Sequence, residues 1–197
     1  MVGCGPGPVD QMTGRAVAVL REAEYVLGND SYLAPLAPLL DGKKVIRSSM
    51  GKEVERALLA VELARENVVA MVSGGDPGVY GMAGIVLEVA ERSPVPVRVE
   101  IIPGVTAATA AASLLGSPLS GDFAVVSLSD LLTPLEVIEE RLRCAFAMGV
   151  PVVLYNPRSR GRPHNFARAM EIARQFRDPA TPVGIVKDAY RKGEATI

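Results

Sequence analysis

Four Gly/Pro turns hold most of the chemistry that this sequence offers: Gly3-Cys4-Gly5-Pro6-Gly7, Gly74-Gly75-Asp76-Pro77-Gly78, Pro103-Gly104-Val105-Thr106 and Tyr155-Asn156-Pro157. Each directly follows a run that reads as a strand. In an open α/β sheet such loops gather at the carboxyl ends of the strands, where ligands bind. The first turn invites comparison with the dinucleotide fingerprint, but Pro8 stands where its third glycine is required, and Pro6 removes an N–H from the would-be phosphate cradle. A pyrophosphate site is disfavoured on that ground. The sequence also lacks G-x-x-x-x-G-K-[ST], which removes a P-loop. What is left is a site of main-chain donors and acceptors for a ligand without phosphate.

Around these turns, side chains add specific possibilities. Asp76 can bind hydroxyls or an amine, or can cap the helix that follows. Ala107 to Ala112 is a run of small residues ahead of which Gly104 allows close backbone approach; it admits either a ligand or a tightly packed helix. Arg158, Arg160 and Arg162 precede a helix that Pro163 is expected to start. Cations there oppose the helix dipole unless an anion is shared, so the cluster is a candidate carboxylate site, with a solvated basic loop as the alternative. His164 is the single histidine and reads as a surface residue. Asp10, Thr13, Asp130 and Thr133 read as capping residues. Asp122 is the candidate proton handler, or else a turn former.

The elements that must position these groups alternate, short β-branched runs with longer helical patterns, which identifies an α/β protein with a mostly parallel sheet. Expected strands are Tyr25 to Leu27, Lys44 to Ile46, Val68 to Ser73, Val97 to Ile102, Phe123 to Leu128, Val150 to Tyr155 and Pro182 to Val186. Expected helices are Thr13 to Ala23, Lys52 to Arg65, Val79 to Glu91, Val105 to Leu115, Pro134 to Met148 and Pro163 to Phe176. Val54, Ala57, Leu58 and Val61 recur at helical spacing, as do Val137, Ile138, Leu142 and Ala145, and each set is expected to face a sheet. The turn-rich stretch 116–122 marks a boundary, giving an N-terminal α/β domain at 1–117 and a C-terminal one at 118–197. Both ends read as cut short.

Composition narrows the partners. A hydrophobic share of 49% fills a core, while a net charge of -1 gives no global field for nucleic acid or a membrane surface. With no tryptophan and 5% aromatics, the chain lacks the stacking platforms of RNA binders. Cys4 and Cys144 match no zinc or disulfide spacing and read as packing residues. The start has no signal-peptide pattern and no long apolar run occurs, so a cytoplasmic protein without metal or membrane span is expected.

Taken in order, Val2 to Gly7 with Asp10 and Thr13, Ser73-Gly74-Gly75-Asp76-Pro77-Gly78-Val79-Tyr80-Gly81-Met82-Ala83, and Pro103-Gly104-Val105-Thr106-Ala107 resemble the tetrapyrrole methylase family. Ser127 to Pro134, Leu154 to Ser159 and Pro182 to Val186 are similar to its precorrin-3B C(17)-methyltransferase branch, so the match covers nearly the whole chain. The resemblance implies two α/β domains with a ligand cleft between them, a homodimer, and S-adenosylmethionine as methyl donor. It implies that Gly5, Pro6, Gly7, Gly75, Asp76, Val79, Tyr80, Met82, Thr106 and Ala107 line the donor site, with Tyr155, Asn156, Pro182, Val183 and Gly184 from the second domain. It makes Arg158, Arg160 and Arg162 partners for the carboxylates of a tetrapyrrole. In that branch methylation accompanies contraction of the macrocycle. The branch commonly carries a histidine where Gly121 precedes Asp122, and its last strands follow the Arg191 to Glu194 region. Rival activities are an RNA ribose methyltransferase, a diphthine synthase, or a non-catalytic module that binds S-adenosylmethionine.

Overall fold

The computed structural model describes residues 1–159 and 161–197. It divides into two compact units, one of Met1–Ala110 with Val186–Ala195, the other of Ala111–Ile185 with Thr196–Ile197. No helix among the described residues is long and apolar enough to cross a membrane.

The first unit is built on a four-stranded parallel sheet in the order β1 (Val2–Gly3), β4 (Val69–Ser73), β2 (Tyr25–Asn29), β3 (Lys44–Ser48). Alternation along the two inner strands sends Val26, Ala70 and Val72 to one face and Leu27 and Met71 to the other. On the first face they meet Ala16 and Leu20 of α1 (Gly14–Glu22), Leu33 of α2 (Asp30–Leu33), and Leu36 and Leu39 of the 3₁₀ stretch Ala34–Leu39. On the second they meet Ala57 and Ala60 of α3 (Glu53–Leu63) and Val86 of α4 (Ala83–Glu91). Both faces are covered, which is why the strands read as near-continuous apolar runs.

The second unit pairs β5 (Ala124–Ser127) in parallel with β6 (Val152–Tyr155). Val126 and Leu128 pack against Ile138, Leu142 and Phe146 of α6 (Leu135–Ala147) and against Ala169 and Ile172 of α7 (Asn165–Ala173). Arg168 of α7 donates to both carboxylate oxygens of Glu139 on α6, at 2.6 and 3.1 Å, which holds Glu139 below the ordinary carboxylate range. Helix α5 (Ala107–Leu114) ends at Gly116 and Ser117, both left-handed with φ of 76° and 64°. β7 (Val186–Lys187) and β8 (Ala195–Thr196) form a short two-stranded ladder.

Several sequence expectations need correction. Val54 and Leu58 are more than half exposed, whereas Ala57 and Val61 are buried as expected, joined on the buried face of α3 by Arg56 and Ala60. Small residues at 57 and 60 let the helix lie close to its neighbours, and the bulkier Val54 and Leu58 are rotated outward. Val137 is likewise 41% exposed, whereas Ile138, Leu142 and Ala145 are buried as expected. Val97 to Ile102 forms no strand; only Ile102 bridges to Val2, because β1 has two residues with which to pair. Pro182 to Ile185 lies outside any strand; Pro182 has no N–H to give a ladder. Helix α4 begins at Ala83 rather than Val79, and α7 at Asn165 rather than Pro163.

Candidate active site

Register brings the first three glycine turns together. Val2 is opposite Val72 and Gly3 opposite Ser73, while on the far side of β1 Val2 bridges to Ile102. Counting forward in step, the chain leaves all three segments at the same level of the sheet. The main chains then bond to one another: Gly3 N–H to Ile102 O at 2.9 Å, Cys4 N–H to Ser73 O at 2.9 Å, Gly5 N–H to Gly75 O at 3.1 Å, and Val105 N–H to Gly5 O at 3.4 Å. Only glycine fits at the crossing points. A Cβ on Gly5 would lie 2.1 Å from Val105 O and 2.4 Å from Gly75 Cα; one on Gly104 would lie 2.2 Å from Gly75 O.

Asp76 fastens this frame with both carboxylate oxygens. Oδ1 accepts the N–H of Gly78 at 2.7 Å inside its own turn, and Oδ2 accepts the N–H of Gly104 at 3.1 Å in the third turn. It does not cap α4, whose N-cap position is Met82, six residues on. Between them Gly81 packs tightly on Pro77 O, where a Cβ would come within 2.6 Å, and Tyr80 sits at φ 51°. That turn leaves Val79 and Tyr80 exposed and Met82 buried. Thr13 joins from α1: its hydroxyl accepts Ala16 N–H as the expected N-cap and donates to Pro103 O, each at 3.2 Å. Thr133 makes no such cap; Pro134 occupies the N-cap position of α6.

Three side chains that sequence reasoning did not select support the turns. Tyr32 packs under Gly74, where a Cβ would be 2.5 Å from the ring. Arg56 is buried. It reaches the hydroxyl of Ser48 with Nη1 and the sulfur of Met82 with Nη2, the latter at 3.2 Å, so the end of β3 is tied to the entry of α4. Arg191, 185 residues from Pro6 in sequence, donates Nε–H to Pro6 O at 2.8 Å. Burial pushes the Cys4 thiol up to about 11 and raises Tyr32, and in both the nearby Arg191 charge acts in the opposite direction. Cys4 donates to Ser73 O at 3.1 Å and is thus a protonated packing residue of the frame.

Of the expected donor-site residues, Gly5, Pro6, Gly7, Gly75, Asp76, Thr106 and Ala107 therefore lie on one frame in the first unit, with Val79, Tyr80 and Met82 on the loop that leaves it. Tyr155, Asn156, Pro182, Val183 and Gly184 belong to the second unit. There Asn156, left-handed at φ 53°, donates to Ser127 Oγ at 3.0 Å, and Gly184 packs on Leu115. Arg162 is turned onto Ser129 Oγ at 2.9 Å and lies 3.9 Å from Asp130, so it braces the loop after β5. Arg158 is exposed, and Arg160 lies outside the described residues. Asp122 is exposed just before β5, with no side-chain hydrogen bond among the described residues.

A parallel sheet whose main-chain turns gather at its carboxyl edge defines an α/β protein of the kind that binds ligands at that edge. The sequence model of the Tetrapyrrole (Corrin/Porphyrin) Methylases matches residues 1–197, and the chain belongs to that family. It is 51% identical over 194 residues to the cobalamin biosynthesis protein CbiHC of Archaeoglobus fulgidus, covering 98% of this chain and 43% of that protein, and so spans under half of that relative. It is 46% identical to the probable cobalt-factor III C(17)-methyltransferase of Salmonella typhimurium, with 98% of this chain and 81% of that one covered. Among solved structures, the methyltransferase CobJ matches with a TM-score of 0.93 and 38% identity over 100% of this chain and 83% of that one. The uroporphyrin-III C-methyl transferase of Thermus thermophilus, complexed with S-adenosyl homocysteine, matches at TM-score 0.72 and 32% identity, covering 100% of this chain and 80% of that one.

Proposed function

We propose that this chain is an S-adenosylmethionine-dependent C-methyltransferase that methylates C17 of a precorrin or its cobalt-containing counterpart in cobalamin biosynthesis, with ring contraction accompanying the transfer. The observation that carries this reading is the frame of three glycine turns locked by main-chain hydrogen bonds at the sheet edge. When bound, S-adenosylmethionine supplies an electrophilic methyl group on a sulfonium. The frame suits that ligand: it offers fixed peptide dipoles in place of a phosphate-binding loop. Asp76 also keeps lone pairs for ribose hydroxyls after accepting two backbone N–H groups.

The acceleration comes mainly from orientation. Pre-formed turns hold the donor without reorganisation, and the reacting carbon needs only in-line approach. Tyr155, Asn156 and Pro182 to Gly184, residues of the second unit, complete the donor contacts. Arg158 and Arg160 bind carboxylates of the tetrapyrrole, whereas Arg162 serves by bracing the loop it already holds. Asp122, an exposed carboxylate before β5, takes the proton that methylation makes mobile on the ring. The working form is a cytoplasmic homodimer, in keeping with the apolar residues Met50, Val54 and Leu58 left exposed around α3.

Calorimetric titration with S-adenosylhomocysteine, followed by mass spectrometry of precorrin-3B and cobalt-factor III incubated with donor and protein, tests the reading. The expected result is saturable binding and one added methyl group on one of these tetrapyrroles. Binding with no transfer to either would reduce the chain to a donor-binding module.

A further inference from the structure

We infer that Arg191 is a carboxylate-binding residue beside the first glycine turn, a role resting on the methyl-transfer reading above. The residue comes from the Val186–Ala195 segment of the first unit, not from the expected arginine cluster at 158–162. Its Nε–H bonds to Pro6 O at 2.8 Å, and its aliphatic stem covers Gly7, where a Cβ would lie 3.0 Å from Cγ and 2.6 Å from Nε. Gly7 has φ 153°, and only a residue without a Cβ leaves that stem its place. The guanidinium is therefore fixed by one of its five donors, against the turn.

The remaining donors are unspent. Among the described residues neither Nη of Arg191 has a hydrogen-bond acceptor, and no carboxylate is within ion-pair distance. Its charge reaches the buried Cys4 thiol and Tyr32 phenol and opposes the effect of burial on both. A half-buried guanidinium whose Nη edge is open beside Gly-Pro-Gly matches the two oxygens of a carboxylate in a bidentate geometry.

The loop that delivers it is built at a cost. Asp188 and Tyr190 are left-handed at φ 50° and 61°. The loop is stitched by Arg191 N–H to Asp188 O at 2.8 Å, Glu194 N–H to Arg191 O at 3.0 Å, and Tyr190 N–H to Glu194 Oε2 at 2.5 Å. Two non-glycine residues in that region within three positions persist where the surroundings over-determine them, and such strain concentrates at ligand sites.

Two ligand carboxylates can meet this group: that of the donor's amino-acid end, and those on the rim of the tetrapyrrole. Arg191→Gln and Arg191→Lys are titrated with S-adenosylhomocysteine and with 5′-methylthioadenosine, which lacks the amino-acid carboxylate, and assayed for KM of cobalt-factor III. If wild-type protein binds neither nucleoside, the donor-site reading itself fails, independently of Arg191. Given wild-type binding, Arg191→Gln is expected to weaken S-adenosylhomocysteine by about 10-fold or more with 5′-methylthioadenosine unchanged, or to raise the tetrapyrrole KM by a similar factor with both nucleosides unchanged. The first outcome assigns the donor carboxylate and the second the acceptor's; Lys should restore part of either loss. Equal weakening of both nucleosides would mean that Arg191 only shapes the turn, and unchanged constants would mean that it does neither; both results overturn the inference.

Discussion

Replacing Gly5 with alanine tests the main-chain frame at its most crowded point. The new methyl would sit 2.1 Å from Val105 O, 2.4 Å from Gly75 Cα and 2.9 Å from Gly75 N, all backbone atoms with no rotamer to yield. Ordinary contact needs more than an ångström of separation beyond that, so two turns must move apart. Overpacking of this kind costs about 1–3 kcal/mol. The movement also breaks Gly5 N–H to Gly75 O and Val105 N–H to Gly5 O, at about 1 kcal/mol each. A loss of about 4 kcal/mol is expected, a large part of the 5–15 kcal/mol that typically holds a domain of this kind. Gly84→Ala is the matched control: it is exposed in α4 with nothing within 4 Å of the new methyl, and should gain about 0.5–1 kcal/mol. Urea unfolding gives the stability difference and titration with S-adenosylhomocysteine the effect on the site, which should fall at least about 100-fold in Gly5→Ala if the frame is the donor site. A Gly5→Ala protein that unfolds at the wild-type midpoint with wild-type affinity would refute the argument from convergent turns.

Asp76→Ala should lower S-adenosylhomocysteine affinity and cost about 1–3 kcal/mol of stability, since two N–H groups lose their acceptor; an unchanged dissociation constant with the stability loss intact would confine Asp76 to fastening the turns. Arg56→Lys should lose about 2 kcal/mol in urea unfolding, because a single ammonium cannot reach the Ser48 hydroxyl, Ser49 O and the Met82 sulfur together. In native protein iodoacetamide should label the exposed Cys144 and spare Cys4, as read by mass spectrometry. Cys4 also sets a pH dependence. Its thiol holds its proton in the fold to about pH 11 but ionises near 9.0 when unfolded, so the unfolded chain binds fewer protons between these values. Stability should therefore fall there by up to about 1.4 kcal/mol per pH unit, and Cys4→Ala should lack that component.

The layout was readable from local pattern where burial is symmetric. Tyr25 to Asn29 and Val69 to Ser73 are covered on both faces, so apolar runs bounded by turns identify them directly. Periodicity placed Ala57 and Val61 of α3 correctly but misled at Val54 and Leu58, which share the helical spacing of a core face, and only packing reveals that Arg56 and Ala60 take their place. The glycine turns were legible because a glycine needing close approach keeps its meaning without knowledge of its partner. Tyr32, Arg56 and Arg191 were not: each acts on a turn far away in sequence, through an aromatic or a guanidinium no different from many on a surface. The arginines at 158–162 drew attention by clustering, yet Arg162 serves its own loop while the unclustered Arg191 reaches the first turn.

Because the frame is main chain bonded to main chain, its crossing points are set by strand register, and Asp76 is the side chain that fastens one turn to another. Val79, Tyr80 and Ala107 are exposed on it and fix none of its crossing points. A frame built this way keeps its crossing points when the exposed residues it carries are exchanged.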